Sequence, residues 1–198
     1  MKKLLISGFE PFGGEAINPS WDAVCALPNE IGGYELTKIL LPVTFGGAAR
    51  IAINKAEEIS PDVILCIGQA GGRGVITPES IGINRRNGRI PDNAGYQPTD
   101  EPILADGDAA YFSKLPVLKI AEAINAAGVP SAVSYSAGAY VCNDVLYSLL
   151  ARFNDTDVKV GFMHIPYSTE QNKTPSMDLG DIIKAITVAI ETIGRTAD

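Results

Sequence analysis

The stretch SAGAYVCNDVLYSLL, Ser136 to Leu150, puts Cys142 where a helix begins, and GFMHIPYS carries His164, the only histidine, 22 residues further on. A thiol and an imidazole are the two parts of a nucleophile–base couple for covalent acyl transfer. Val141, Val145 and Leu149 recur every four residues, which predicts helix from about Tyr140 and places Cys142 in its first turn. Backbone N–H groups there lack intrahelical partners and the helix dipole is positive. Such a position favours the thiolate and offers donors to a developing oxyanion. His164 closes an apolar run just before Pro166, at the C-terminal end of a predicted strand, the edge where open α/β sheets place ligands. A third group should orient the imidazole, and spacing alone leaves Glu79, Asp92 and Asp144 open. The order of cysteine then histidine, at so short a gap, matches neither papain-like proteases nor caspases.

The bland alternative is that these residues are interior, since free cysteine is among the most buried residue types. Cys66, inside DVILCIG, reads as core, and Cys25, on a short helix between apolar neighbours, reads the same way. Three cysteines at wide spacing form neither a disulfide framework nor a zinc pattern, and one histidine excludes a His-rich metal site.

The elements that must position the couple alternate between strand and helix. KKLLISGF, YELTKILLPV, DVILCIG, SAVSYS and DVKVGFMHIP read as strands. Along YELTKILLPV, Tyr34, Leu36, Lys38 and Leu40 line one face by period two, and the uninterrupted DVILCIG suits a strand buried on both faces. SWDAVCAL, GGAARIAINKAEEI (with Ala48, Ile51, Ile53 and Ala56 on neighbouring rows), LPVLKIAEAINAAG, YVCNDVLYSLLARF and MDLGDIIKAITVAIETIG read as helices. Residues 71–105, rich in Gly, Asn, Pro and Arg, form an excursion with short strand-like pieces, GVITP and SIGIN. This alternation predicts one α/β domain over residues 1–198, a three-layer α/β/α arrangement around a mostly parallel, mixed sheet.

A chain of 198 residues buries well over half of its unfolded surface without a disulfide or metal. Its net charge of −7 argues against nucleic acid as a partner. The apolar run after Lys2 and Lys3 stops at Ser7-Gly8, too short for a signal peptide, and nothing approaches the roughly 18 apolar residues of a membrane span. The expectation is a cytoplasmic protein with no membrane partner.

Six stretches, SGFEPFGGEAINPSW, GQAGGRGVITPESIGIN, GRIPDNAGYQP, SAGAYVCNDVLY, GFMHIPY and PSMDL, arrive in order from Ser7 to Leu179. Together they resemble the pyroglutamyl-peptidase I (pyrrolidone-carboxylate peptidase) family of cysteine peptidases, a phosphorylase/hydrolase-like α/β fold. The resemblance implies removal of an N-terminal pyroglutamyl residue from peptides, with Cys142 as nucleophile, His164 as general base and Glu79 as the group orienting it. It further implies that Phe9 and Phe12 sandwich the lactam ring, that Asn18 and Gln69 lie near the substrate, and that Arg89 lines the mouth of the site. It implies no metal or other cofactor, and a homo-oligomer, commonly a homotetramer. Three positions depart from the pattern: Ser80 replaces the usual arginine, Gly82 a common alanine, and Ala139 the usual threonine. Ser80 bears on how firmly Glu79 is held.

Two rivals follow from the same residues. GQAGGRG can be read as a phosphate-cradling loop of a nucleoside-phosphorylase-like enzyme, although a Gly-rich loop alone is weak evidence. A non-catalytic pyroglutamyl-peptide-binding protein would need the pocket with an ineffective triad, yet all three triad residues are present.

Overall fold

The computed structural model describes residues 1–196; the last two residues of the 1–198 span assigned to one domain lie outside the described residues. In chain order the elements are β1 (Lys2–Phe9), α1 (Pro19–Ala26), β2 (Glu30–Ile31), β3 (Tyr34–Leu41), α2 (Gly47–Ile59), β4 (Val63–Gln69), β5 (Thr77–Glu79), β6 (Ile81–Ile83), β7 (Ala110–Phe112), α3 (Val117–Ala126), α4 (Val141–Arg152), β8 (Lys159–Ile165), β9 (Tyr167–Ser168), β10 (Ser176–Met177) and α5 (Leu179–Arg195). The main sheet runs β2-β3-β1-β4-β8-β5. Its four central strands are parallel, and β2 and β5 are antiparallel at either side. No helix of the described residues is long and apolar enough to cross a membrane.

Helices cover both faces. Leu4, Ile6, Val63, Leu65, Ile67, Met163 and Ile165 pack against α1, α3 and α5. The alternate residues Leu5, Ile64, Cys66, Val160 and Phe162 pack against α2 and α4. This is why β4 is buried throughout: a strand covered twice has no polar face. Along α5, Ile182, Ala185, Ile186, Ala189, Ile190 and Ile193 recur at three and four residues and form its buried stripe. Asp178 caps the start by accepting from Gly180 N. The fold is therefore the predicted α/β/α arrangement with a mixed, mostly parallel sheet.

Several local expectations are corrected. SAVSYS is no strand of its own in the central sheet. It lies extended beyond β5, joined through isolated bridges Ile76–Ser131 and Glu79–Ser134. The short antiparallel β5 thus stands between that segment and β8, where direct adjacency would follow from chain order alone. Cys25 is exposed, because the buried stripe of α1 runs through Ser20, Ala23 and Val24 and leaves position 25 outside it. In α2 the inward row is Ala48, Ala49, Ala52 and Ala56, while Ile51 faces solvent. On β3 the regular face ends early: Tyr34 and Leu36 are buried, the Lys38 ammonium donates to the Cys25 and Leu27 carbonyls, and Leu40 is exposed.

From β1 the chain first goes to β3 on one side and then crosses to β4 on the other. The order reverses between β1 and β4, and ligands of open α/β sheets bind beyond the carboxyl ends of strands at such a point. Those ends are Phe9 and Gln69.

Candidate active site

A cavity of about 670 Å³ opens there, lined by Phe9, Phe12, Asn18, Gln69, Arg73, Arg89, Tyr140, Cys142, His164 and Tyr167, among others. Aspartate and glutamate are absent from its lining among the described residues. Cys142 and His164 reach it from different layers. The β4–β8 register pairs Gly68 with His164. The missing side chain of Gly68 leaves the space that Cys142 uses: a Cβ there would stand 2.9 Å from the sulfur and 2.6 Å from the Phe162 ring. A glycine within a core strand weakens it, and here, one residue from the end of β4, it admits the thiol to the sheet surface on the face that carries His164.

Helix α4, which carries Cys142, is fixed by buried polar groups. Asn143 accepts from Ile83 N at 2.9 Å and donates to the Ile83 and Arg85 carbonyls. Asp144 accepts from Gly46 N at 2.7 Å and from Arg86 Nε at 2.5 Å. The first backward bond of α4 runs from Asp144 N to Tyr140 O, so the N–H groups before it are available at the helix start.

Of the three carboxylates that spacing leaves open, Glu79 is the one that meets the imidazole. Its Oε1 lies 2.7 Å from His164 Nδ1, with Glu79 fully buried. The register explains the meeting. Thr77 lies opposite His164 on the antiparallel β5–β8 pair, and Glu79, two residues on, shares that face as a diagonal neighbour. Asp144 is spent on Arg86 and Gly46. Asp92 accepts from the backbone N–H groups of Phe45, Ala94 and Tyr96 and folds its own loop.

Sequence reasoning misses Arg73. Its Nη1 donates to Glu79 Oε1 at 2.6 Å and to Thr77 Oγ1 at 2.7 Å, and its Nη2 donates to Ser136 O at 2.8 Å. The available signal is an arginine set among glycines directly after the end of a core strand. Tyr140 and Tyr167, also in the lining, carry no such signal. Ser80 does not touch the Glu79 carboxylate; its N and Oγ both bond Ser134 O at 2.8 Å and pin the edge segment to the β5–β6 junction.

The residues that the family resemblance assigns to the substrate fall into two kinds. Phe9 is buried against Phe162, with ring centroids 6.1 Å apart, and Phe12 lies 6.1 Å from the Tyr140 ring. Gln69 is buried and its Oε1 has no hydrogen-bond partner among the described residues. Asn18 lines the cavity but works locally. Its Oδ1 accepts from Ser20 N and Oγ, and its Nδ2 donates to Glu10 O. Arg89 is exposed at the rim.

Electrostatics alter one expectation. Burial pushes the Cys142 thiol up to about 12, and the nearby Glu79 charge adds to this, against the opposing pull of Arg73. The helix start is where it was expected, and desolvation at the sheet surface works against the thiolate that it favours. Burial also holds His164 below the usual imidazole value despite the Glu79 hydrogen bond. For Glu79, burial pushes upward, but the hydrogen bonds from His164 and Arg73, with the Ser134 hydroxyl nearby, outweigh it and keep the carboxyl below its ordinary value. Burial thus disfavours the charged forms of the thiol and the imidazole, while the bonded carboxyl is held toward its ionised form.

The sign for stability follows. Both depressed groups bind protons less readily folded than unfolded, so their contributions are full above the unfolded values of about 6.5 and 4.3. They are lost as pH falls through those values toward the folded ones. We expect urea midpoints to drop progressively below about pH 6.5, and replacing His164 with glutamine to flatten the upper part of that decline; an unchanged slope would separate His164 from it.

An α/β sheet whose switch-point cavity holds a thiol beside a carboxylate-tied imidazole defines a cysteine-hydrolase type of architecture. Comparison with known proteins makes this specific. The pyroglutamyl peptidase family model matches residues 2–196. The chain is 47% identical over 197 residues to the pyrrolidone-carboxylate peptidase of Lactobacillus johnsonii (strain CNCM I-12250 / La1 / NCC 533), covering 96% of this chain and 92% of that protein. The crystal structure of Bacillus amyloliquefaciens pyroglutamyl peptidase I superposes with a TM-score of 0.96 at 42% identity, covering 100% of this chain and 99% of that one. The pyrrolidone carboxyl peptidase of Thermococcus litoralis gives 0.94 at 40% identity, covering 98% and 93%. The chain belongs to the pyroglutamyl peptidase family and is a cysteine exopeptidase of that type.

Proposed function

We propose that this protein hydrolyses the bond between an N-terminal pyroglutamyl residue and the rest of a peptide, through a Cys142–His164–Glu79 thiol mechanism. The observation that carries the reading is the cavity in which the Cys142 sulfur and the Glu79-tied imidazole of His164 converge. The lining supports the substrate class. Pyroglutamate has no α-amino charge because its nitrogen is closed into a lactam, and among the described residues the cavity lining holds no carboxylate to grip one. The unpartnered Gln69 Oε1 is an acceptor suited to the lactam N–H, and Phe9 and Phe12 suit a flat neutral ring. Leaving such a buried group unpaired costs about 1–3 kcal/mol, which the matching substrate recovers.

With Nδ1–H directed to Glu79, His164 keeps Nε2 as its basic nitrogen. It takes the thiol proton as sulfur bonds to the carbonyl carbon, and the oxyanion is stabilised by N–H groups at the start of α4. The carbon–nitrogen bond breaks, the imidazolium protonates the departing amine, and a thioester remains. Water then attacks the thioester, giving its proton to His164, and pyroglutamate leaves as the thiol is restored. Glu79 steadies the tautomer and the cationic ring between these transfers. Because burial disfavours a standing thiolate, His164 acts as general base on the thiol during attack. This reading includes peptides with N-terminal pyroglutamate as partners and a cytoplasmic homo-oligomer.

The test uses pyroglutamyl-coumarin amide beside prolyl-coumarin amide. We expect turnover of the first and a kcat/KM at least about tenfold lower for the second, which lacks the ring carbonyl and presents a charged ring nitrogen. Equal rates would remove lactam recognition, and no turnover of either would remove the peptidase reading. Two features weigh against the rivals. The Gly-rich loop commits its one arginine to Glu79 rather than leaving it for phosphate, and Cys142 lines the same cavity as the Glu79-bonded imidazole of His164, which supports catalysis over binding alone.

A further inference from the structure

Arg73 stands at a junction that the thiol mechanism leaves without an explanation. One oxygen of a fully buried carboxylate, Glu79 Oε1, accepts from two donors, His164 Nδ1 at 2.7 Å and Arg73 Nη1 at 2.6 Å. The second oxygen, Oε2, has no hydrogen-bond partner among the described residues. A neutral imidazole alone is a poor partner for a desolvated carboxylate, since burying a charge is costly without an opposite one beside it. Arg73 supplies that charge from the cavity side, with about a third of its side chain exposed. Its other arm bonds Ser136 O at 2.8 Å, in the segment that leads into the nucleophile's helix. One guanidinium therefore connects the carboxylate behind the histidine to the chain that delivers the cysteine. Its planar, two-armed geometry suits this, and a lysine ammonium cannot reproduce both arms.

We propose that Arg73 is a positioning residue of this site: it holds Glu79 ionised and in register with His164, and it locks the 134–140 segment so that Cys142 enters at a fixed place. The proposal rests on the thiol-peptidase reading for its kinetic consequences but not for its effect on the sulfur. The charged and titratable groups around the couple are few. His164 faces Glu79 from β5 and Arg73 from the loop after β4. Cys142 faces those same two groups and Cys66 on β4, with Tyr140 preceding it on its own helix. Asp144, in the same turn as Cys142, is neutralised by Arg86. Arg73 is thus the one cation in contact with Glu79 among the described residues, and its field opposes protonation of His164 and favours loss of the thiol proton.

The experiment compares wild type, Arg73→Gln and Arg73→Lys by two measurements. The first is the pH dependence of kcat/KM and kcat for pyroglutamyl-coumarin amide. The second is the pH dependence of Cys142 alkylation by iodoacetamide, mapped by peptide mass, which needs no turnover. For Arg73→Gln we expect kcat to fall about 10- to 100-fold with KM changed less, as loss of a charge-assisted hydrogen bond implies. The acidic limb of kcat/KM should move to higher pH as the imidazole loses the opposing cation, and the alkylation profile should move to higher pH as the thiol does. Arg73→Lys should restore both pH positions but only part of kcat, because it returns the charge without the second arm. Unshifted profiles in Arg73→Gln, with the change confined to a rise in KM, would reduce Arg73 to a substrate contact and overturn the proposal. It is equally overturned if Arg73→Lys recovers nothing while its thermal melt matches wild type. If Arg73→Gln does not fold, Arg73→Lys against wild type decides: preserved pH positions with lowered kcat support the role, and unchanged kcat overturns it. A wild type without peptidase activity would sink the function proposed above, while a displaced alkylation profile would still support Arg73 acting on the site.

Discussion

Alanine in place of Cys142 is expected to abolish hydrolysis of pyroglutamyl-coumarin amide, lowering kcat by about 10⁴-fold or more. Loss of a nucleophile from a triad has effects of that order, because the other members then have nothing to activate. The fold should hardly register the change. The sulfur rests over Gly68 at the wall of an open cavity, so its removal enlarges space already present rather than hollowing out a sealed core. Melting temperature should stay within a few degrees of wild type, since the Asn143 and Asp144 anchors of α4 remain. Binding should also survive, because Gln69, Phe9 and Phe12 are untouched, and a pyroglutamyl peptide should titrate by calorimetry without being consumed. Full activity in the alanine variant would remove Cys142 from the chemistry; lost activity with lost folding would make it a packing residue instead.

The parts of this site differ in how far the sequence exposes them. Helix α4 and strand β8 announce themselves through local periodicity, so the thiol and the imidazole can be placed at one edge without coordinates. Glu79 cannot be so placed. Its meeting with His164 depends on a three-residue antiparallel strand slipping between β8 and the 131–134 segment, a non-local pairing that spacing does not encode. In the sequence, only the family resemblance singles it out. The thiol's protonation state escapes sequence reasoning for a related reason. A position in the first turn can be read from periodicity, whereas desolvation depends on what packs over it, here a glycine-sized gap in a neighbouring strand. The apolar neighbours of Cys25 suggest core, but burial follows the helical stripe, not the composition of adjacent residues. Arg73 stands inside GQAGGRG without any local sign of its role, since its partners come from β5 and from the segment before α4.

That same dependence on close approach makes Gly8→Ala the most destabilising single change we expect near the site. Gly8 lies on β1 directly beneath the start of α1, and its backbone conformation is one that alanine can adopt. The difficulty is purely steric. A Cβ would stand 2.6 Å from Trp21 Cα, 2.7 Å from Trp21 N and 2.8 Å from the Ser20 carbonyl carbon. These are backbone atoms, so no side chain can swing aside, and α1 must lift from the sheet. It is tied down by a buried chain of hydrogen bonds: Phe9 N donates to Ser20 Oγ at 3.0 Å, Ser20 Oγ donates to Asn18 Oδ1 at 2.8 Å, and Asn18 Nδ2 donates to Glu10 O at 2.9 Å. Lifting the helix strains or breaks that chain, adding unsatisfied polar groups to the overpacking. Together these put the cost at about 3 kcal/mol or more, or a fall in melting temperature of roughly 6–12 °C for a chain this long. Phe9 and Asn18 both line the cavity, so KM for pyroglutamyl-coumarin amide should rise in whatever fraction stays folded, with kcat less affected because Cys142, His164 and Glu79 sit on other elements. A melting temperature within a degree or two of wild type would mean that α1 yields without loss, and that the hydrogen-bonded chain from Phe9 to Glu10 does not fix the helix to the sheet.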